Sequence, residues 1–387
     1  MSHQEKALLP SGFVDLLPGE AQQEADIITG LCGHFAKFGY QRVKPPLLEF
    51  EDSLLAPGPG ALLAGDTFRV MDPISHRMMG IRPDITAQIA RIVSSRLAKE
   101  ARPLRLHYAN DALRTRGSQL RTERQFCQVG CEIVGGGELA LDIEISLVAL
   151  SGLARAGLEA VTLDLTVPGF TAAMCSAYGI EGDGLETLGK ALAQRDREAA
   201  LKLGGQDFVD ILACAGLAEE MMPKLQSLNL PAGLQDKIKG LSLFHEKLNA
   251  AISQWGLKGV SVSVDLFEQQ GFEYHSDIGF TLFAPGARSE LGRGGRYHIG
   301  FGENQAVGAG ELARGFTLYM DSLRRVLPKA SCAPVVYVPF EEDWNILSDL
   351  QAQGYITLRG EGGDVARQSA LDLGCTHLYE DGAVRQF

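Results

Sequence analysis

Two strands joined by a basic turn are predicted by residues 113–135, which read LRTRGSQLRTERQFCQVGCEIVG. Side chains along a strand alternate between two faces. On the second strand, one face carries Phe126, Gln128, Gly130, Glu132 and Val134, and the other carries Cys127, Val129, Cys131 and Ile133. Because glycine has no side chain, Gly130 predicts a notch between Gln128 and Glu132, where a small polar ligand could lie against the sheet. The alternative is a sheet face that simply meets solvent.

Length and composition predict a globular chain of two or three domains. The chain has 387 residues, of which 45% are hydrophobic and 22% are charged, and its formal net charge is −12. That charge argues against a large duplex or tRNA footprint, which normally needs a basic surface. The cysteines are scattered and lack zinc-ligand spacing, so we expect free thiols in a reducing cytosol. No cofactor or metal site is predicted.

Nothing in the sequence predicts export or membrane insertion. The N-terminal sequence MSHQEKALLPSGFVDLLPGEA has no apolar segment of the kind found in signal peptides. No run of apolar residues is long enough to span a bilayer. We therefore expect a soluble cytoplasmic protein without a membrane partner.

The order of the predicted elements indicates an α+β fold. The predicted helices are 20–38, 84–99, 138–156 and 311–327. The predicted strands are 40–43, 260–267, 271–284 and 289–298, with hairpins at 68–71 and 77–81 and at 105–134. Helices with short glycine breaks fill 170–256, which predicts an all-helical insertion. Residues 1–169 and 257–327 are therefore expected to form the core, an antiparallel sheet flanked by helices. Residues 333–387 predict a small α/β unit.

Two further segments carry polar residues that would suit a ligand. Asp84 and Thr86 fall at the start of the predicted helix 84–99, although an acid in a first helical turn needs no ligand. The stretch GRGGRY, residues 292–297, is glycine-rich and cationic, but it matches neither a phosphate-binding loop nor a dinucleotide-binding motif. A tight bend on an edge strand explains the residues of this stretch nearly as well as a ligand site does.

In order and spacing, these segments resemble the catalytic domain of class II histidyl-tRNA synthetases. The resemblance covers roughly residues 8–327 and rests on FAKFGYQRVKPPLLE (35–49), RPDITA (82–87), LRTRGSQLRTERQFCQVGCE (113–132), GFEYHSDIGFTLF (271–283), GGRYH (294–298) and GFTLYMDSL (315–323). It implies a class II aminoacyl-tRNA synthetase-like antiparallel sheet and a homodimer formed through the segment 35–49. Residues 333–387 are too few for a complete anticodon-binding domain of this family, which implies that tRNA recognition is lost.

The resemblance also implies that the ATP half of the site has been lost. Arg114 stands where the family has its motif-2 arginine, but Arg116 replaces a glutamate of the family pattern. Three arginines that face the phosphates in the family fall on Thr122, Gln270 and Ser322. A neutral amide or hydroxyl cannot supply the permanent charge of a guanidinium group. An active synthetase is therefore not expected, and no residue is expected to be catalytic.

The resemblance implies that the amino-acid half persists. The implied ligand pocket comprises Asp84, Thr86, Arg114, Gln128, Glu132, Tyr274 and His275. Asp84 replaces a glutamate and His275 replaces a tyrosine of the family pattern, so the pocket is changed at two positions. The carboxylates of Asp84 and Glu132 could accept hydrogen bonds from an ammonium group, and Gln128 can both donate and accept.

One group related to these synthetases combines a lost ATP site with a retained amino-acid pocket and a shortened C-terminus. This group comprises the regulatory subunits of ATP phosphoribosyltransferase, the first enzyme of histidine biosynthesis. The resemblance implies a non-catalytic chain, a homodimer within a hetero-octamer, that completes the activity of a short catalytic subunit. It further implies L-histidine as the effector and neither tRNA nor a membrane as a partner. The alternatives are an active histidyl-tRNA synthetase and another truncated synthetase-like protein that binds an amino acid.

Overall fold

The protein consists of two compact units in a computed structural model. The structure describes residues 8–56, 59–118, 121–268, 271–272, 274–300, 310–328 and 333–387. The first unit is Met1–Pro328 and the second is Lys329–Phe387, so the segment 170–256 belongs to the first unit.

Helices and strands alternate irregularly along the chain. The helices are α1 (Glu20–Lys37), α2 (Glu51–Leu54), α3 (Thr86–Ser95), α4 (Leu139–Arg155), α5 (Phe170–Ala177), α6 (Asp183–Ala193), α7 (Arg197–Gly204), α8 (Gln206–Leu212), α9 (Ala218–Ser227), α10 (Ala232–Trp255), α11 (Met320–Val326), α12 (Trp344–Ala352) and α13 (Ala366–Asp372). The strands are β1 (Gln41–Arg42), β2 (Leu48–Phe50), β3 (Phe68–Met71), β4 (Met78–Ile81), β5 (Leu104–Leu113), β6 (Gln125–Val134), β7 (Val161–Thr166), β8 (Gly216–Leu217), β9 (Val260–Val264), β10 (His275–Phe283), β11 (Gly292–Ile299), β12 (Glu311–Tyr319), β13 (Val335–Pro339), β14 (Ile356–Gly360), β15 (His377–Glu380) and β16 (Ala383–Gln386).

Nine of these strands form the main sheet of the first unit, in the order β1-β5-β6-β12-β11-β10-β7-β9-β8. Neighbouring strands are antiparallel except for the pairs β1 with β5 and β7 with β9, which are parallel. The hairpin β5–β6 pairs from Leu104 with Val134 to Leu113 with Gln125, which confirms the predicted hairpin. The segment 170–256 is helical apart from β8, which joins the edge of this sheet through β9. A separate antiparallel sheet has the order β2-β4-β3.

Both faces of the main sheet are covered by helices. On one face, Cys131 of β6 belongs to a large apolar core that includes Phe35 of α1 and Leu150 of α4. On the other face, Val134 of β6 belongs to a smaller core that includes Ile89 of α3. Alternate residues of β6 therefore enter different cores, and the polar side chains on this strand lie inside the protein. The alternative of a sheet face that meets solvent is wrong.

Asp142, in the first turn of α4, joins this helix to two central strands. Its carboxylate accepts hydrogen bonds from Arg296 of β11 at 2.8 Å and 2.6 Å and from Arg314 of β12 at 3.0 Å. Arg314 is fully buried and also donates to the carbonyls of Gly135 and Gly136. The carboxylate of Asp142 thus forms ion pairs with two guanidinium groups inside the first unit.

The prediction of a helix over 311–327 is wrong in its first half. Residues Glu311–Tyr319 form β12, between β6 and β11, and only Met320–Val326 is helical. A strand that is buried on both faces is apolar along most of its length, so periodicity does not distinguish it from a buried helix. The glycine-rich stretch 292–297 lies in β11, which pairs with β10 and β12, so its interpretation as a bend on an edge strand is wrong as well.

The second unit is a small α/β structure, as the sequence predicts. Its four strands have the order β14-β13-β15-β16, in which β13 is parallel to both β14 and β15. Strand β16 is antiparallel to β15 and extends the predicted pattern by one strand.

The cysteines in the described ranges are free thiols, as expected. Cys32 is half-buried, and the buried ones are Cys127, Cys131, Cys175, Cys214 and Cys375. Burial raises the pKa of Cys127 and Cys131, which keeps these thiols protonated at neutral pH. Across the same ranges, every helix is too short or too polar to cross a bilayer.

Candidate functional site

Gln128 fixes the segment that precedes α3 against β6. Its side chain is fully buried, its Oε1 accepts the backbone N–H of Ile85 at 3.0 Å, and its Nε2 donates to Oδ2 of Asp84 at 2.7 Å. Asp84 in turn accepts the backbone N–H of Thr86 at 2.9 Å. Both ends of the Gln128 amide are therefore occupied within the protein. Gln128 positions Asp84 and does not line either of the two cavities at this site.

Glu132 is a buried carboxylate, 1% exposed, at the centre of the site. It accepts hydrogen bonds from the hydroxyl of Tyr297 at 2.8 Å and from the hydroxyl of Thr86 at 3.4 Å. Burial raises the pKa of Glu132 to about 8, and the nearby charge of Asp84 acts in the same direction, whereas the Tyr297 hydrogen bond opposes it. A ligand that donates N–H groups to Glu132 would favour its ionised form.

The notch predicted at Gly130 is absent. A side chain at Gly130 would overlap the carbonyl oxygen of Phe316 and the hydroxyl of Tyr108, so this position is already filled by neighbouring groups. The Tyr108 hydroxyl lies 2.6 Å from the hydroxyl oxygen of Thr317, which holds it there. Gly130 therefore allows close packing of β5, β6 and β12, and it leaves no space for a ligand.

The glycine that makes room in this site is Gly315 of β12, directly opposite Glu132. A methyl group at this position would overlap Oε2 of Glu132. We expect Gly315→Ala to lower the free energy of unfolding by about 1–3 kcal/mol, because either the buried carboxylate or a central strand must move. Urea denaturation measures this change.

The matched control for Gly315→Ala is Gly33→Ala in the exposed face of α1, where a methyl group meets no other atom. It is expected to raise stability slightly, because alanine favours a helix by about 1 kcal/mol over glycine. Equal effects of the two substitutions would contradict the close approach between Gly315 and Glu132.

A cavity of about 40 Å³ lies beside Glu132. Its walls are formed by Asp84, Thr86, Glu132, Gly271, Tyr274, His275, Arg293, Gly294, Tyr297, Gly315, Phe316, Thr317 and Tyr319. The volume corresponds to roughly three water molecules. Five of the predicted pocket residues meet at this cavity, namely Asp84, Thr86, Glu132, Tyr274 and His275. We refer to it as the small cavity.

His275 forms an uncharged wall of the small cavity. Its ring stacks on that of Tyr274, with the centroids 4.2 Å apart. Burial, together with the nearby charge of Arg293, lowers the pKa of His275 to about 3. The imidazole is therefore neutral at physiological pH, and it does not compensate the charge that Glu132 acquires when it ionises.

A second cavity, of about 500 Å³, adjoins the first, and we refer to it as the large cavity. Among the residues that the structure describes, its charged lining residues are Arg114, Arg116, Arg121 and Arg293 on the positive side and Asp66, Asp84, Glu123 and Glu290 on the negative side. The two signs balance, whereas a triphosphate site needs an excess of cations. The large cavity is therefore poorly suited to ATP.

Arg121 is a buried residue of the large cavity that the sequence comparison overlooked. Its guanidinium forms ion pairs with Asp321 at 3.1 Å and with Glu290 at 3.4 Å, and its Cζ lies 3.7 Å from the ring centroid of Tyr319. The only sequence signal for it is its place next to Thr122, within the basic turn. This arginine is held by internal carboxylates, so it does not replace the missing phosphate-binding cations.

Three other predicted positions, Arg114, Thr122 and Ser322, do not line the small cavity. Arg114 lines only the large cavity, where its Nε donates to the carbonyl of Pro83 at 3.3 Å. Thr122 is exposed, and Ser322 is buried with its hydroxyl 2.9 Å from that of Ser289. Gln270 lies outside the described residues.

The sequence is similar to proteins of two related descriptions. Residues 12–323 match the family described as histidyl-tRNA synthetase. The chain is 40% identical to the ATP phosphoribosyltransferase regulatory subunit of Rhodospirillum centenum over 385 residues, which cover 98% of this chain and 96% of that protein. It is 42% identical to the protein of the same name from Rhodospirillum rubrum over 382 residues, which cover 97% of this chain and 96% of that protein.

Solved structures of both kinds share the fold. The ATP phosphoribosyltransferase regulatory subunit/histidyl-tRNA synthetase from Bacillus halodurans has a TM-score of 0.78 and 22% identity, and the match covers 96% of this chain and 97% of that one. Histidyl-tRNA synthetase from a Nostoc species has a TM-score of 0.76 and 16% identity, with 97% and 92% covered. These similarities confirm the class II synthetase-like α+β fold.

Proposed function

We propose, on the premise that this chain belongs to the family of ATP phosphoribosyltransferase regulatory subunits, that its small cavity is the binding site for L-histidine as a feedback effector. The chain is a regulatory subunit and has no catalysis of its own. Its partner is the short-form catalytic subunit, whose activity it completes in the cytoplasm. It acts as a homodimer, formed through residues 35–49, within a hetero-octamer, and tRNA is not a partner.

The observation that supports this function is the contrast between the two cavities. The small cavity retains two carboxylates, Asp84 and Glu132, next to aromatic walls. In the large cavity, Arg121 is paired with Asp321 and Glu290, and the charges balance. A site that has carboxylates for an amino acid but no excess of described cations for phosphate suits a sensor of an amino acid.

Histidine carries two groups that match the carboxylates of the small cavity. Its imidazole fits beside Glu132, which can accept an imidazole N–H while Tyr297 continues to donate to the other carboxylate oxygen. The volume of about 40 Å³ does not hold a complete histidine. The α-carbon end therefore extends towards the large cavity, where Asp84 accepts hydrogen bonds from the ammonium group.

Feedback inhibition requires that histidine binds two states of the assembly with different affinities. Asp84 faces the ligand and also contacts the sheet and α3, so ligand binding at Asp84 can affect the arrangement of these elements. Its carboxylate is bound to Gln128 of β6 and to the backbone of Thr86 at the start of α3. An ammonium group at Asp84 would act on this hydrogen-bonded junction between the sheet and α3.

Reconstitution with the short catalytic subunit, co-purified from native cells, tests the proposed function. We expect the catalytic subunit alone to have low phosphoribosyltransferase activity, and we expect this chain to raise that activity and to make it sensitive to histidine. A catalytic subunit that is equally active and equally histidine-sensitive alone would overturn the proposal. The same preparation is assayed for histidine-dependent ATP–pyrophosphate exchange, beside an active histidyl-tRNA synthetase. Exchange by this chain would favour the synthetase alternative.

A further inference from the structure

The small and large cavities meet at a border where the two signs of charge lie close together. The lining residues common to both cavities are Asp84, Gly271, Tyr274, Arg293 and Tyr319. Among the described residues that line both cavities, Asp84 and Arg293 are the only charged ones. An amino-acid zwitterion carries one ammonium and one carboxylate group on the same carbon, so its α-carbon end needs one acceptor and one cation within reach.

Arg293 reaches this border from β11, in a stretch where glycines occupy positions 292, 294 and 295. Its guanidinium lies against Gly271, since a methyl group at Gly271 would overlap Nη1 of Arg293. The side chain is largely buried and lies 3.5 Å from Oε1 of Glu290. A permanent positive charge is therefore placed at the edge of the small cavity, where its field contributes to the low pKa of His275.

Position 270 immediately precedes Gly271, and this chain has glutamine there. The resemblance to synthetases places at this position an arginine that faces the α-phosphate and also binds the carboxylate of the amino acid. Arg293 brings a guanidinium to the neighbouring residue from a different strand. The arginine that the resemblance expects at position 270 is absent from the sequence, and Arg293 supplies a guanidinium against Gly271, the next residue along the chain. The stretch GRGGRY, which sequence patterns alone left unexplained, contains this arginine.

We infer that Arg293 binds the α-carboxylate of the effector and thereby selects an amino acid over the corresponding amine. The inference rests on the proposed function, because it assigns a ligand group to the same pocket. Guanidinium groups bind carboxylates through two parallel, charge-assisted hydrogen bonds, which are stronger than hydrogen bonds between neutral groups. Asp84 and Arg293 then hold the two charged groups of the α-carbon end, while Glu132 meets the ring.

The test compares histidine with histamine, which has the same ring and ammonium group but no carboxylate. Calorimetry with the full chain measures both affinities for the wild type, Arg293→Gln and Arg293→Lys. For Arg293→Gln we expect histidine affinity to fall ten- to hundredfold and histamine affinity to stay within twofold of the wild type. Arg293→Lys keeps the charge but loses the two parallel bonds, so its histidine affinity should be intermediate. Arg77→Gln, an exposed arginine outside both cavities, controls for the change in net charge.

The outcomes separate the inference from the proposed function. An equal loss of histidine and histamine affinity would show that Arg293 only shapes the pocket, and unchanged histidine affinity in Arg293→Gln would exclude any contact with the ligand. Either result overturns the inference and leaves histidine sensing intact. If the wild type binds neither compound, the proposed function itself fails. A loss of affinity for histidine but not for histamine, in variants that unfold at the same urea concentration as the wild type, supports the assignment of Arg293 to the α-carboxylate.

Discussion

Asp142→Ala is expected to lower the free energy of unfolding of the first compact unit by about 3–5 kcal/mol. Asp142 accepts hydrogen bonds from Arg296 and Arg314, and Arg314 is fully buried. Without the carboxylate, a buried guanidinium keeps only the carbonyls of Gly135 and Gly136 and loses its opposite charge. The cost is that of an uncompensated buried charge, and it exceeds that of the lost hydrogen bonds alone.

Urea denaturation followed by the fluorescence of Trp255, in a Trp344→Phe background, measures Asp142→Ala in the first unit alone. Asp142→Asn keeps an acceptor without the charge and should lie between the wild type and Asp142→Ala. The control is Glu186→Ala, which removes an exposed ion pair with Lys190 and should change stability by no more than about 0.5 kcal/mol. A loss below about 1 kcal/mol for Asp142→Ala would contradict the expected role of the buried charge.

Glu132→Gln is expected to weaken histidine binding ten- to hundredfold and, at the same time, to stabilise the folded chain at alkaline pH. Glutamine keeps the size of the side chain and an acceptor oxygen, but it cannot carry the negative charge that strengthens a hydrogen bond from an imidazole N–H. A hydrogen bond to a charged group contributes about 1.5–3 kcal/mol, which corresponds to the expected loss of affinity. Function and stability should therefore change in opposite directions.

The sign of the stability effect follows from the pKa of Glu132. In the folded chain this pKa is raised from 4.5 to about 8, so the folded state binds more protons than the unfolded state between these two values. The contribution of Glu132 to the free energy of unfolding is then fully present below about pH 4.5, and it declines as the pH rises to about 8. A full shift of this size amounts to a few kcal/mol, because each pKa unit contributes about 1.4 kcal/mol. Glutamine does not titrate, so the variant lacks this decline.

Urea denaturation of both proteins at pH 5, 7 and 9 tests this expectation. Asp164, whose pKa burial raises to about 6, titrates in both proteins, so the difference between them isolates Glu132. Calorimetry with histidine at pH 7 measures the affinity. If the two stability curves run parallel from pH 5 to pH 9, the buried carboxyl of Glu132 does not titrate as described.

The hairpin and its two faces were predictable from sequence because alternation along β6 is a local property. The burial of Cys131 on one face and Glu132 on the other follows from a period of two residues. The role of Gln128 was not predictable in the same way. Its amide is occupied by Ile85 and Asp84, more than forty residues earlier in the chain, and only the folded structure brings them together.

The prediction of a notch was wrong because contacts between distant segments decide it. Gly130 predicted a notch, but Tyr108 and the backbone of Phe316 fill the space beside it. The resemblance identified the missing carboxylate partner at position 270, whereas it gave no reason to consider Arg293, which lies on a different strand, β11. A sequence motif shows which residues have changed at its own positions. It does not show a side chain that a different segment of the chain brings to the same region.

The pairing of Arg121 limits what an arginine introduced at position 322 could bind. Arg121 is held between Asp321, Glu290 and the ring of Tyr319, next to the serine at position 322 where synthetases carry an arginine. A mutation that restored that arginine would place a second cation beside one that is already neutralised, and it would not bind phosphate in the family's manner. Several simultaneous substitutions would be required, so no single substitution is expected to create a phosphate site here.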